Sequence, residues 1–168
     1  MNSEHQLREL LQQRILVLDG AMGTMIQRQG LSEEDFRGAR FSKHPVNLKG
    51  CNEVLSLTRH ELISDIHREY LHAGADIIET NTFNATRVSL REYGLEEYTF
   101  EINAASARWA RIVADEFTRL YPTQPRFVVG SMGPTGKSLS LSPDMNDPAA
   151  RAITFDELEE AYMEQARG

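Results

Sequence analysis

Three short apolar runs, each followed at once by polar or small residues, set the rhythm of the chain. They are residues 15–18 (Ile-Leu-Val-Leu), 75–79 (Ala-Asp-Ile-Ile-Glu) and 127–129 (Phe-Val-Val). Each is too short for a helix and aliphatic at its centre, as in strands buried on both faces of a parallel sheet. Between the runs, apolar residues recur at helical spacing. Leu7, Leu10 and Leu11 predict a short amphipathic helix, opened by the capping-box spacing of Ser3-Glu4-His5-Gln6. Thr58-Arg59-His60-Glu61 is a second capping box, and Leu62, Ile63, Ile66, Tyr70 and Ala73 share the apolar face of a helix that Gly74 ends. Helical segments follow over residues 85–93, stopped by Gly94, and over residues 97–120, stopped by Tyr121-Pro122. The second carries Phe100, Ala104, Ala107, Ile112 and Phe117. Thr154-Phe155-Asp156-Glu157 caps a last helix with Leu158, Ala161 and Tyr162 inward. A short helix over residues 22–29, ended by Gly30, interrupts a stretch from Asp19 to Ser56 with no sustained period; its residues 36–49 read as an ordered loop.

The order is a helix and then strand–helix three times, which predicts an α/β fold with parallel strands. Helix-to-strand links are short, at Gly74 and residues 121–125, whereas the links after the first and third strands are long. In β/α folds ligands sit at the carboxyl ends of the strands. Asp19, residues 79–82 and residues 130–135 all fall there. Asp19-Gly20 offers a carboxylate beside exposed backbone N–H groups, with glycine allowing close approach; the plainer alternative is an Asp that caps the next helical turn. Glu79 ends the neighbouring strand, about 4.8 Å away, where it either joins Asp19 in gripping an ammonium group or points into a barrel or toward a helix. Three βα units do not close a barrel, which takes about 250 residues. Nor do they make a comfortable doubly wound sheet, so residues 1–168 read as a fragment, with open strand edges and poor stability by itself.

Composition narrows the function classes. A net charge of −7 and a pI near 5.3 disfavour a nucleic-acid partner. The polar start and the brevity of the apolar runs predict neither a signal peptide nor a membrane span. One cysteine, Cys51, excludes an internal disulfide and fits the cytoplasm. Ser131 to Ser138 approaches a phosphate-binding loop, but its first position is Ser131, and Pro143 and Pro148 break the helix such a loop requires. His60, His67 and His72 share one helix and are assigned to its solvent side, and Cys51 is read as a small buried thiol. Neither marks a metal site.

The set Leu18-Asp19-Gly20-Ala21-Met22-Gly23-Thr24, Glu79-Thr80-Asn81-Thr82-Phe83 and Gly133-Pro134-Thr135 resembles the homocysteine S-methyltransferase family. Asp35-Phe36-Arg37-Gly38, Leu48-Lys49-Gly50, the run from Ala73 to Asn84 and Ser142-Pro143-Asp144-Met145-Asn146-Asp147-Pro148 look like the amino-terminal module of the cobalamin-dependent methionine synthases. The likeness runs from about Leu7 to Tyr162. It implies a (β/α)8 TIM barrel of the homocysteine methyltransferase type, of which this chain covers about the first three βα units. It also implies a zinc ion that binds the homocysteine sulfur through three cysteines on later strands. The methyl donor it implies is methylcobalamin, regenerated from 5-methyltetrahydrofolate by further modules. The substrate grip maps onto Asp19, the backbone N–H groups near Gly20 and Ala21, and Thr82; Glu79 and Asn81 complete the candidate substrate-binding set. No catalytic or metal-ligating residue is assigned, and neither zinc nor cobalamin is expected to bind this chain alone. The expected partners are homocysteine and the cobalamin and folate modules, not nucleic acid or a membrane. Two alternatives stand beside this reading: a single-module homocysteine methyltransferase using a sulfonium or betaine donor, and a nucleotide-binding α/β module resting on Ser131–Ser138.

Overall fold

The computed structural model describes residues 3–168. Helix α1 (Ser3–Gln13) leads into an extended segment that pairs with the next strand through one parallel bridge, Leu18 to Ile77. Three short helices follow, α2 (Met22–Gln27), α3 (Glu33–Arg37) and α4 (Leu55–Thr58), then the longer α5 (His60–His72). Strand β1 (Ile77–Glu79), the short α6 (Arg87–Leu90), the 22-residue α7 (Thr99–Leu120), strand β2 (Phe127–Val129) and α8 (Phe155–Arg167) complete the chain. β1 and β2 are parallel, with Ile77 opposite Phe127, Ile78 opposite Val128 and Glu79 opposite Val129. The extended segment lies on the other side of β1, so the strands run side by side in chain order, and α5 and α7 pack on them.

Two apolar clusters hold this together. Leu71, Ile78, Val113 and Phe117 join the sheet to α5 and α7. Ile26, Phe36, Leu48, Val54, Leu55, Ile63, Leu90 and Ile102 lie beneath the long connection after the first strand. That connection is ordered by polar contacts as well. Glu33 accepts the backbone N–H groups of Leu48 and Lys49, Arg37 donates to the carbonyls of His44 and Val46, and Arg59 pairs with Asp35. Ser32 and Asp35 form a reciprocal capping box at the start of α3, a short helix within the segment that shows no sustained period.

Several expectations are corrected. Ile15, Val17 and Leu18 are 87%, 52% and 48% exposed, so the first strand is not buried on both faces. It occupies the edge of the sheet, where only β1 flanks it among the described residues. Ser3 is already helical, which puts the cap of α1 outside the described residues. Thr58 does not cap α5: it ends α4, and its hydroxyl donates back to Val54 O at 3.3 Å, while Arg59 takes the cap position. Ala73 is exposed, and the buried face of α7 runs through Ile102, Ser106, Ala110, Val113 and Phe117, leaving Phe100 and Ile112 in solvent. His67 is not on the solvent side either; it is wholly buried, and neither ring nitrogen has a hydrogen-bond partner. Burial holds its pKa down, at about 4. By contrast, Thr154 and Glu157 form the expected capping box of α8, and Gly30 and Gly94 take the left-handed conformation at their helix ends.

At the amino-terminal ends of the strands sits a buried ion cluster. Asp76 accepts two hydrogen bonds from Arg14 (2.8 and 2.7 Å), one from the Val17 N–H (3.0 Å) and one from Arg126 (3.3 Å). These contacts, Arg14 foremost, hold its carboxyl below the usual range. They bolt the end of α1, the first strand, β1 and β2 to one another.

Candidate functional site

The opposite, carboxyl ends of the strands enclose a cavity of about 230 Å³. Of the six sequence candidates, Asp19, Gly20, Glu79, Asn81 and Thr82 line it and Ala21 does not. Asp19 ends the first strand: its N–H donates to Ile77 O at 2.9 Å, and its carboxylate accepts the Glu79 N–H at 3.0 Å. Burial pushes the Asp19 pKa up to about 6; the Glu79 N–H pulls it back and the Glu79 charge adds to the rise. No Lys, Arg or His among the described residues lines the cavity. The two acids are neighbours with no internal cation between them.

The turn after Asp19 departs from expectation in one respect. Ala21, not Gly20, takes the left-handed conformation, with φ 45°. An ideal Cβ on Gly20 would meet nothing within 4 Å, so close approach is not what that glycine supplies. A left-handed alanine costs roughly 1–2 kcal/mol, and such strain concentrates at ligand clamps and turns. Here it redirects the chain from the strand end into α2.

Thr80, Thr82 and Ser131 form a directed circuit. Thr82 Oγ1 donates its one hydrogen to Ser131 O (2.8 Å), so in its 2.6 Å contact with Thr80 Oγ1 it must accept. Thr80 in turn accepts the Ser131 N–H at 3.0 Å. Thr82 therefore has no hydrogen left for a ligand and offers only a lone pair, which suits an ammonium group rather than a carboxylate. Asn81 is a strut as well as a wall: its amide donates to Asn52 O (2.8 Å) and Ser56 Oγ (3.2 Å), and Ser106 on α7 closes on the same Ser56 hydroxyl. Gln165 on α8 donates to Thr82 O at 2.7 Å, tying the last helix to the cavity floor.

Sequence reasoning passed over Glu53. It is 5% exposed, lines the cavity, accepts the Asn84 N–H at 3.0 Å and lies 3.9 Å from the Cys51 thiol. Burial raises its pKa. The available signal was a carboxylate directly before Val54-Leu55 and two residues after Cys51, residue types that are usually buried. Cys51 is buried as expected, and burial beside Glu53 pushes its thiol up to about 12. Among the described residues no three His, Cys, Asp or Glu side chains are placed to hold one metal ion. Residues 139–150 form no helix behind the Ser131–Ser138 loop, so that loop lacks the geometry of a phosphate cradle. No described helix is long and apolar enough to cross a membrane.

Two solved structures are similar in fold to this chain, the oxidized and metallated forms of the homocysteine methyltransferase MmuM from Escherichia coli. Identity is 28% and 27%, with TM-scores of 0.59 and 0.60. The matches cover 76% and 77% of this chain but 40% and 42% of those structures, so the chain spans about two fifths of their length. The three strand positions correspond to about the first three βα units of the homocysteine methyltransferase barrel. The homocysteine S-methyltransferase family model matches residues 16–168, which carry the strands, the cavity and α8, and the chain belongs to that family.

Proposed function

We propose that the cavity grips the amino-acid end of homocysteine within a methyltransferase that converts it to methionine. One observation carries this reading: Asp19 and Glu79 meet at a strand end in a cavity that no cationic side chain among the described residues lines. An ammonium group there gains charge-assisted hydrogen bonds from Asp19 and a lone pair from Thr82. The backbone N–H of Gly20, which lines the cavity, is left for the substrate carboxylate. The task of these residues is positioning: they hold the sulfur in line with the incoming methyl carbon.

A free thiol has a pKa of about 8.5 and reacts as its thiolate. The zinc implied by the family resemblance would supply that deprotonation, but the described residues offer no ligand set for it, and Cys51 is buried and protonated. This chain's share of the chemistry is therefore substrate binding. The Asp35–Gly38 and Ser142–Pro148 segments favour methylcobalamin as donor and a methionine synthase module as context. The likeness to the Escherichia coli homocysteine methyltransferase favours a second reading, a single-module enzyme with a sulfonium or betaine donor.

The test is Asp19→Asn. In a completed barrel, homocysteine affinity should fall roughly ten- to a hundredfold, the loss of one charge-assisted contact, with bound metal unchanged. In the parent chain, affinity should decline as pH drops through about 6, where Asp19 takes up a proton. Unchanged affinity in the variant would refute the role of Asp19. Stoichiometric zinc with methionine formation by the 168-residue chain would overturn the limit to binding.

A further inference from the structure

Phe83 sits at the rim of the cavity and is 53% exposed, although the residues just before it, Thr80, Asn81 and Thr82, are all buried. A large aromatic left half in water forgoes much of the gain of burial, so the fold does not hold it there for its own core. Its backbone is nevertheless fixed from both sides. The Phe83 carbonyl accepts the Gly133 N–H at 2.8 Å, and the next amide, that of Asn84, donates to buried Glu53 at 3.0 Å. The ring is fixed too. A Cβ on Gly133 would stand 2.6 Å from Phe83 Cε1 and 2.7 Å from Phe83 O, so only glycine lets the loop after β2 press against that face. Tyr162 on α8 holds the same glycine by donating to its carbonyl at 2.8 Å. The loop after β2 thus presses on one half-exposed ring, while Glu53 holds the peptide that follows it and Tyr162 holds the loop.

We propose that Phe83 is a specificity-determining residue of the cavity, its ring packing on the side-chain methylenes of the bound amino acid, and that Glu53 and Gly133 are positioning residues that clamp its peptide from either side. The proposal rests on the reading of the cavity as an amino-acid site. It adds a measure of side-chain length: Asp19 and Glu79 fix the ammonium end, and the ring lies alongside the arm that carries the sulfur. Each methylene packed against it contributes about fourfold in affinity.

The experiment is an amide-detected NMR titration of the 168-residue chain, which reads weak binding directly, with L-homocysteine and the one-methylene-shorter L-cysteine as probes. The wild type should prefer homocysteine by about fourfold or more. Phe83→Ala should weaken homocysteine by about five- to tenfold and bring the preference close to one, with an unchanged melting temperature because the ring is half exposed; Phe83→Leu should restore much of it. Glu53→Gln keeps an acceptor for the Asn84 N–H and should keep the preference, whereas Glu53→Ala should lose it. Asp19→Asn should weaken both probes equally and leave their ratio intact. If homocysteine binds the wild type and Phe83→Ala leaves the ratio unchanged, this inference fails and the amino-acid site stands. If neither probe binds the wild type, both fall together.

Discussion

The two ends of the sheet carry the same side chain in opposite circumstances. At the amino-terminal end, Asp76 is met by Arg14, Arg126 and the Val17 N–H, and its carboxyl is held below the usual range. At the carboxyl end, Asp19 has one donor among the described residues, the Glu79 N–H, and its pKa rises to about 6. Both are at least partly buried, and the two lie at opposite ends of the same pair of strands. The first is neutralised from within and serves the fold. The second is held beside another acid with no cation of its own, which is the condition of a binding group. The division matches barrels in general, whose lower face carries stability and whose upper face carries chemistry.

The strongest way to break this contrast is Asp76→Ala. It leaves the Arg126 guanidinium, 7% exposed, without its acid. Removing one partner of a buried pair costs about 3–5 kcal/mol, and urea melts should show most of the chain's stability gone. Asp19→Ala should show no comparable loss.

The pH dependence should separate the two acids by sign. Asp76 has a lowered pKa, so its contribution is fully present above the unfolded value of about 3.9 and is lost as pH falls through the folded one. Asp19 has a raised pKa, so the folded state prefers its protonated form and stability declines as pH climbs from about 4 through 6. Relative to wild type, Asp19→Asn should therefore gain stability towards pH 8, and Asp76→Asn should lose it. Parallel slopes in the two variants would erase the distinction.

His67 sharpens the comparison because it is acid-sensitive without belonging to either end. Its folded pKa of about 4 lies below the ordinary 6.5, so stability drains away as pH falls from 6.5 towards 4. His67→Leu removes two unpartnered nitrogens and should stabilise by about 1–3 kcal/mol at pH 5, flattening that limb of the pH curve. The smallest effect belongs to Arg40 and Glu101, a bidentate pair with side chains 41% and 49% exposed. Arg40→Ala should cost about 0.2–1 kcal/mol, less at high salt.

Legibility in the sequence followed the range of the interaction. α5 with Gly74, the Thr154 cap and the placement of Asp19 beside Glu79 depend on spacing within a few residues or on strand order, and these were readable. The clustering of residues at the strand ends was readable too: five of the six candidates line one cavity. The Asp76 cluster was not readable, since Arg14 and Asp76 are 62 positions apart. His67 misled because a His on a mixed helix face gives no sign of which neighbour will cover it. Thr58 misled because a hydroxyl that bonds back to the preceding turn looks, in sequence, like one that caps forward. Ala21 hid a left-handed turn behind two flanking glycines that do not adopt it.

The pairing of the first strand also has a consequence in time. Asp19 and Glu79 are 60 positions apart, and ribosomes add about 5–20 residues per second. During synthesis the segment bearing Ile15, Val17 and Leu18 must therefore wait about 3–12 s for its partner strand to be made. Throughout that interval its unpaired edge and aliphatic side chains are open to other nascent chains. Slower translation between residues 19 and 79 should lengthen the exposure and raise the demand for a chaperone that holds extended apolar segments.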